Sequence, residues 1–419
     1  MKVPVAEIVW RDDLYPRIEP DPATIQRYAA DLTVLPPIEV NQRNELIDGY
    51  HRWTAHRKEN AAEIEVTVTE TASDVELLAL ACKRNSAHGL QLADKDKRSM
   101  AIRLYASGTG MEKKEIAETL SVSERTVSGY LADTDKQLRE QRRETIRALW
   151  LACHTQQEIA DAVGVPRQTI TDQLDELPKL EELPKSAKLA ALHEDADWVP
   201  PLYDIWNVSS NHNSTTHFGN TPVEFVDNLL YLYTKPFDIV VDPFAGGGST
   251  IDVCKKRSRR YWVSDRLPIV EREGEIRKHE TTPDIIGGPA RWADVALVYL
   301  DPPYWKQAAG KYSDDPTDLA NMELDEFTTT LTGIINAYAK KLHAGAHIAC
   351  IISPTQWPNE DKSTVYHDID IAQSVKPKLV QRILCPYSTQ QYNGTQVEIA
   401  KERKLLLALT RTMLVWEVE

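Results

Sequence analysis

The chain changes its hydrophobic rhythm along its length. Up to about residue 85, short apolar runs at 3–9, 36–40, 45–48 and 64–68 alternate with polar turns and helical spacing, which predicts a small α+β unit. From 74 to 175 the apolar positions recur at helical spacing, and an all-α stretch follows. Pro178, Pro184, Pro200 and Pro201 among mixed charges predict a linker. Beyond it, candidate strands at 238–242, 260–264, 295–300, 347–352, 379–384, 405–409 and 413–416 are mostly separated by helical patterns. That order predicts an α/β fold, with helices on both faces of a mostly parallel sheet. The expected domains are 1–85, 86–177, a linker at 178–201, and 202–419.

A repeat lies inside the helical stretch. Glu115-Ile116-Ala117, Val122, Thr126-Val127 and Leu131 recur 43 residues later as Glu158-Ile159-Ala160, Val165, Thr169-Ile170 and Leu174. Each copy reads as a helix, a short turn and a second helix, the layout that places the front of the second helix in a DNA major groove. Arg125, Thr126 and Ser128 in the first copy, and Arg167, Gln168 and Thr169 in the second, are the candidate DNA-contacting residues. The alternative is an αα-hairpin that only packs.

Charge limits how DNA could be held. With 49 Lys+Arg against 63 Asp+Glu, the formal net charge is −14, so bulk phosphate attraction is excluded and local patches such as Lys255-Lys256-Arg257-Ser258-Arg259-Arg260 must serve. Five cysteines without a CxxC pair predict neither a disulfide framework nor a cysteine zinc site, and no metal is expected. No signal pattern opens the chain and no apolar run approaches the ~18 residues of a membrane span, so a soluble, cytoplasmic protein is expected.

Two motifs carry chemistry. Asp242-Pro243-Phe244-Ala245-Gly246-Gly247-Gly248-Ser249-Thr250 follows the apolar Ile239-Val240-Val241 and precedes a helical stretch. Strand, glycine turn and helix form a cradle in which the backbone can approach a ligand closely. The turn lacks a Lys-Ser/Thr ending and GxGxxG spacing, which argues against nucleoside triphosphates and dinucleotides. Asp265 ends the next strand, where a carboxylate can hold ribose hydroxyls. The second motif is Asp301-Pro302-Pro303-Tyr304, after the apolar 295–300. An exocyclic amine of adenine or cytosine is a poor nucleophile because its lone pair is delocalised into the ring. If Asp301 and the Pro302 carbonyl accept its two hydrogens, that lone pair is freed for direct attack on a methyl sulfonium. Tyr304 offers an aromatic face to a base swung out of its stack.

On these residues the chain from 202 to 419 resembles the S-adenosylmethionine-dependent DNA amino-methyltransferases, which modify adenine N6 or cytosine N4. The resemblance implies a Rossmann-like domain with a seven-stranded mixed sheet. It gives Asp301, Pro302, Pro303 and Tyr304 the catalytic role. Asp242, Pro243, Phe244, Gly246, Gly248 and Asp265 become cofactor-binding residues. His217-Phe218-Gly219-Asn220-Thr221-Pro222-Val223-Glu224 is similar to the segment holding the methionine end of the cofactor, which adds Thr221 and Pro222, and the motif order matches the gamma type. Arg411-Thr412-Met413-Leu414-Val415-Trp416 resembles the final hairpin strand. Ile286-Gly287-Gly288-Pro289-Ala290 stands where the family often has an acidic residue against the cofactor adenine. The chain ends with the last strand, so target choice is expected from the helical repeats, the 306–321 loop or the 387–398 segment. Cytosine C5 chemistry is disfavoured: it needs a thiolate nucleophile, and Cys385 precedes Pro386 in the reverse of the usual order. Asp before Pro-Pro resembles adenine enzymes more often than cytosine enzymes.

The amino-terminal part has its own resemblance. Pro36-Pro37-Ile38-Glu39-Val40 with Glu45-Leu46-Ile47-Asp48-Gly49-Tyr50-His51-Arg52 is similar to the ParB/sulfiredoxin superfamily and its G-x-[HR]-R phosphate motif. The similarity extends through Lys83-Arg84-Asn85-Ser86-Ala87-His88-Gly89-Leu90 into the first helical repeat. It implies CTP or ATP at Gly49, His51 and Arg52. Tyr50 replaces the reactive cysteine of sulfiredoxin, so redox activity is not implied.

Three functions compete: a DNA methyltransferase delivered to its site by the amino-terminal modules, a ParB-like partition or regulatory protein with a non-catalytic methyltransferase domain, and a nucleotide-driven DNA-loading switch. The intact Asp301-Pro302-Pro303-Tyr304 set favours the first, directed at adenine N6 with cytosine N4 as alternative. Double-stranded DNA is the expected partner and a homodimer a candidate assembly.

Overall fold

A computed structural model of the chain describes residues 1–16, 21–87, 92–106, 111–175, 180–196, 198–208, 221–272, 274–358, 363–387 and 392–419. These form two compact units, Met1–Arg142 and Arg143–Glu419.

The first unit opens with β1 (Lys2–Pro4), α1 (Pro22–Ala29), β2 (Ile38–Val40), β3 (Leu46–Asp48), α2 (Tyr50–Lys58) and β4 (Glu63–Val68). Its sheet has the order β1-β4-β2-β3, with β2 and β4 parallel and the other pairs antiparallel. In β4, Ile64 and Val66 are buried while Glu63 and Glu65 are exposed, the alternation of a strand with one wet face. Ile38, Val40, Leu46 and Trp53 complete that core. Helix α2 begins at Gly49, whose φ of 103° and whose distance of 2.6 Å from a would-be Cβ to Ile38 Cγ2 leave room for glycine alone. Helices α3 (Asp74–Ala87), α4 (Asp94–Ala106), α5 (Lys113–Leu120) and α6 (Glu124–Leu151) follow, as the helical spacing predicts. Helix α3 runs through the expected boundary at residue 85, and the division between the units falls inside α6.

The second unit begins with α7 (Gln156–Val163) and α8 (Arg167–Asp175). The two helical repeats therefore fall in different units. Next come α9 (Lys185–Ala191), α10 (Val223–Tyr233), β5 (Ile239–Asp242), α11 (Ser249–Lys256), β6 (Arg260–Asp265), β7 (Arg277–Lys278), β8 (Val295–Leu300), α12 (Leu324–Ala339), β9 (His347–Ile352), β10 (Thr355–Gln356), β11 (Thr364–Val365), α13 (His367–Ser374), β12 (Lys378–Pro386), α14 (Gly394–Arg403) and β13 (Thr410–Glu417). The seven-stranded sheet has the order β12-β13-β9-β8-β5-β6-β7. Strands β5 to β9 are parallel, and β13 runs antiparallel between β9 and β12, giving a mixed sheet. Both faces are buried, so the strand sequences read as continuous apolar runs. Ile239 and Val241 pack with Phe327, Leu331 and Ile335 of α12, whereas Val240 packs with Phe225 and Leu229 of α10 and Ile251 of α11.

Three expectations are corrected here. Residues 405–409 are not a strand, and Leu406 is 88% exposed. The ladder between β12 and β13 starts at Pro386↔Thr410, and ahead of it the Leu409 carbonyl accepts from the Tyr387 N–H at 2.9 Å without extending the strand. The seventh strand is instead β7, whose two residues are too few to show a period. Residues 178–201 do not act simply as a linker: α9 lies within them, and Leu183, Ala191 and His193 are buried. Finally, Lys255 to Arg260 is not an open basic patch. The Arg257 side chain is fully buried, its Nε and Nη2 each 2.7 Å from Asp227, and its Nη1 is bonded to Asp195 and to the Ala190 carbonyl. Arg259 is also buried and donates to the carbonyls of Ala191 and Thr234.

Burial pushes the Asp227 carboxyl upward but is outweighed by His193 and Arg257, which hold it down at about 2. Its stabilising effect is complete above the ordinary 3.8 and is lost as pH falls toward 2. Replacing Asp227 by Ala, which leaves the buried Nε and Nη2 of Arg257 without an acceptor while Nη1 keeps Asp195, is expected to destabilise the unit by about 3–5 kcal/mol. Urea unfolding followed by tryptophan fluorescence measures this, and a loss below about 1 kcal/mol contradicts a buried, coupled pair.

Candidate functional site

Three parallel strands deliver carboxylates to one edge of the sheet. Asp242 ends β5, Asp265 ends β6 and Asp301 directly follows β8, while β5 pairs with both β6 and β8. In open parallel sheets ligands collect at the carboxyl ends of the strands. A cavity of about 670 Å³ lies there, and all three carboxylates line it. Its wall also contains Thr221, Pro222, Pro243, Phe244, Gly246, Pro302, Pro303 and Tyr304. The structure thus brings together every residue expected at the catalytic and cofactor sites except Gly248. That glycine caps α11 at φ 81°, and a Cβ there would meet Arg272 at 2.8 Å. The His217–Asn220 part of the expected methionine-end segment lies outside the described residues.

Hydrogen bonds fix the acidic groups. Asp242 is 2% exposed and accepts from the Phe244 N–H at 2.9 Å and the Thr250 hydroxyl at 2.6 Å. Burial pushes it from 3.8 to about 7, against the pull of those two donors. Asp265 accepts from the N–H groups of Gly246 (3.0 Å) and Leu267 (2.9 Å), which ties the glycine turn to the end of β6. Asp301 receives the Thr221 hydroxyl at 2.5 Å, the Tyr304 hydroxyl at 3.2 Å and the Tyr299 hydroxyl at 3.4 Å. Burial raises its pKa, while Thr221 and the positive charge of Arg411 act to lower it. The bond from Thr221 joins the segment before α10 to the motif after β8, 80 residues apart in sequence.

The wall includes residues that motif reading did not single out as contacts. Tyr299, two residues before Asp301, read only as an apolar strand position. His279, Glu280 and Thr281 follow the short β7 and line the cavity, whereas residues 286–290 do not. The Gly287 carbonyl accepts from the Tyr338 hydroxyl at 3.2 Å, and a Cβ on Gly287 would collide with Trp262. From the 306–321 loop, Gln307, Lys311, Tyr312 and Asp318 reach the wall, as does Tyr387 at the end of β12. Cys385 is fully buried and its thiol is pushed up to about 12, so it holds no reactive thiolate.

A sulfonium nucleoside with an amino-acid tail presents a cationic sulfur, an ammonium group and ribose hydroxyl donors. The wall offers three carboxylate acceptors beside a glycine turn, in a volume within the usual range for small-molecule sites. The residues present fit that group. Among the described residues no cluster of His, Cys, Asp and Glu could hold a metal ion, and no helix is long and apolar enough to cross a membrane.

The other expected contacts lie elsewhere. Arg125, Ser128, Arg167 and Gln168 are exposed, and Thr126 and Thr169 half-buried, near the starts of α6 and α8. In the first unit, Arg52 donates to the carbonyls of Pro36 and Pro37 and to Asp48 at 2.8 Å. His51 is 8% exposed and its Nε2 accepts from the Asp21 N–H at 2.9 Å. Gly49, His51 and Arg52 are therefore adjacent, with their polar groups engaged inside the unit.

The DNA methylase family model matches residues 114–267, a span that holds the Asp242–Thr250 turn and Asp265 and ends before Asp301. The type II methyltransferase M.Cfr9I of Citrobacter freundii is 37% identical over 57 residues, 14% of this chain and 19% of that protein. The type II methyltransferase M.XycI of Xanthomonas campestris pv. cyanopsidis is 35% identical over 57 residues, with the same 14% and 19% shares. The chain thus spans about a fifth of the length of these curated relatives. A C-terminally truncated chromosome-partitioning protein ParB from Caulobacter crescentus, solved with the centromeric parS site, aligns at 14% identity over 42% of this chain and 99% of that chain. Its TM-score of 0.26 is too low to establish a shared fold.

Asp242 yields a stability prediction. Its carboxyl binds a proton more tightly folded than unfolded, so the stability it contributes is complete below pH 3.8 and is lost as pH rises through about 7. The Asp242→Asn variant should therefore lose less thermal stability than wild type between pH 5 and pH 8. Melting curves at the two pH values test this, and parallel losses would mean that Asp242 is already ionised at pH 5. The family match thus extends over residues 114–267, a segment similar to DNA methylases.

Proposed function

We propose that the second unit binds S-adenosylmethionine in this cavity and methylates the exocyclic amine of a base flipped out of double-stranded DNA, adenine N6 in the first instance. The observation that carries the reading is the position of Asp301-Pro302-Pro303-Tyr304 in the same wall as Asp242, Gly246 and Asp265. The family match and the methyltransferase relatives support the reaction class.

Thr221, Asp242, Gly246 and Asp265 would hold the methyl donor, which when bound supplies an electrophilic methyl group on a sulfonium. Asp301, ionised, accepts a hydrogen bond from one amine N–H and the Pro302 carbonyl from the other, so the nitrogen lone pair is no longer committed to the ring, and the proton that the nitrogen sheds on methylation passes to the Asp301 carboxylate. Thr221, Tyr299 and Tyr304 donate to the Asp301 carboxylate and hold it in place. Tyr304 also stacks on the flipped base, a contact worth roughly 1–3 kcal/mol. Adenine is preferred to cytosine because the Asp-Pro-Pro-Tyr order resembles adenine enzymes. Arg125, Thr126, Ser128, Arg167, Gln168 and Thr169, near the fronts of two second helices, would contact DNA and choose the site. CTP or ATP would bind at Gly49, His51 and Arg52. Arg52 would first have to exchange its present partners for phosphate oxygens.

Purified protein with labelled S-adenosylmethionine should transfer methyl groups to duplex DNA, and sequencing of modified bases should report N6-methyladenine in one context. N4-methylcytosine would reassign the base, and no transfer to any genomic DNA would favour a DNA-binding role without catalysis. Asp301→Ala should lower turnover about 10²–10³-fold with little change in DNA affinity, as for loss of a hydrogen-bonding partner in the transition state. Because the Asp301 pKa is raised, the acid limb of kcat/KM should lie above the ordinary 3.8, and activity should fall as pH drops through it.

A further inference from the structure

One charge in the cavity wall has no hydrogen-bond or ion-pair partner among the described residues. Arg411 is 7% exposed, and its buried Nε makes no hydrogen bond. The guanidinium lies against aromatic faces, 4.8 Å from the Tyr387 ring centroid and 5.2 Å from that of Phe225, and feels the charge of Asp301 without bonding to it. Among the described residues Arg411 forms no ion pair or hydrogen bond from its side chain. An arginine buried to this degree ordinarily has a carboxylate or carbonyls around it, as Arg257 and Arg259 do in the same unit. The topology explains its place. Strand β13 runs antiparallel to β9, with Thr412 opposite Ile352, so its first residues lie where the parallel strands end and the cavity opens.

Building on the proposed function, we propose that Arg411 is the anion receptor of the cavity, taking a carboxylate or phosphate oxygen of a bound substrate. The three carboxylates of the wall suit a cationic sulfur, an ammonium group and hydroxyls, but none of them can receive an anionic end. Two anions of the reaction qualify: the carboxylate of the methyl donor's amino-acid tail and a phosphate beside the flipped base. A guanidinium presents several donors in a plane and can bind either one through two hydrogen bonds. The Tyr387 and Phe225 rings would fix its plane without consuming its N–H donors.

The test compares wild type with Arg411→Met and Arg411→Lys by calorimetry, using S-adenosylhomocysteine, which has the carboxylate, and 5′-methylthioadenosine, which lacks it. If the donor's carboxylate is the ligand, Arg411→Met binds S-adenosylhomocysteine about 10- to 100-fold more weakly and methylthioadenosine unchanged. Arg411→Lys then recovers part of the loss. If a phosphate is the ligand, both nucleosides bind as in wild type, and the slope of log affinity for duplex DNA against log salt becomes shallower by about one charge. Met keeps an unbranched apolar stem between the two rings, and melting curves of each variant beside wild type separate a binding defect from a folding defect. Unchanged binding of both nucleosides together with an unchanged salt slope overturns the proposal. Failure of wild type itself to bind S-adenosylhomocysteine instead overturns the methyl-donor reading, and with it the carboxylate source.

Discussion

Parallel pairing of β5, β6 and β8 is the constraint on which the candidate site depends. Strands that run the same way and pair in near register end at the same edge, so a residue at the end of each one meets its counterparts. Asp242, Asp265 and Asp301 are 59 residues apart from first to last in the chain, yet they line one cavity. The double-sided apolar core holds that edge in place. Val240 faces α10 and α11, its neighbours Ile239 and Val241 face α12, and a slip of one residue would exchange these environments.

Burial then gives chemically similar carboxylates different characters. Asp242 lies deep, with two donors that do not offset its desolvation, and holds a proton up to about 7. Asp301 is less buried, with three hydroxyl donors and the field of Arg411 working against desolvation. Asp265 faces backbone N–H groups that anchor the glycine turn. One edge thus combines a group poised to change charge, a group braced as an acceptor and a group tied to the backbone. The basic run from Lys255 to Arg260 shows the same principle in reverse. Arg257 and Arg259 are drawn into the core by Asp227, Asp195 and helix carbonyls, and contribute packing instead of a DNA-facing charge.

Both principal motifs were legible in the chain because each is a local event. A glycine turn or a Pro-Pro pair leaves its mark within a few residues, and the apolar runs before Asp242 and Asp301 are long enough to announce buried strands. The helical repeat was visible for the same reason: Ile116 and Ile159 recur with their turns at one offset, and each is fully buried in its own helix pair. Where local pattern and tertiary environment disagreed, pattern failed. The leucines at 405–409 have a strand's composition but lie ahead of the ladder that begins at Thr410. The prolines at 178–201 suggested an open connection, but α9 supplies carbonyls to Arg257 and Arg259.

The sequence by itself determined the α/β class of the second unit, the presence of Asp242, Asp265 and Asp301 at strand ends, and the absence of any thiolate motif. Hydrophobic period and turn chemistry are short-range properties, so one dimension suffices to read them. Only the tertiary structure decided which residues share a wall. It brought Thr221 to Asp301 across 80 positions, set His279 to Thr281 on the cavity in place of 286–290, and seated Arg411 among aromatic rings without a hydrogen bond to its Nε. Such placements follow from strand order and from the reversal of β13. A side chain's charge state and partners depend on what the fold packs against it, and that information is not carried by neighbours in the chain.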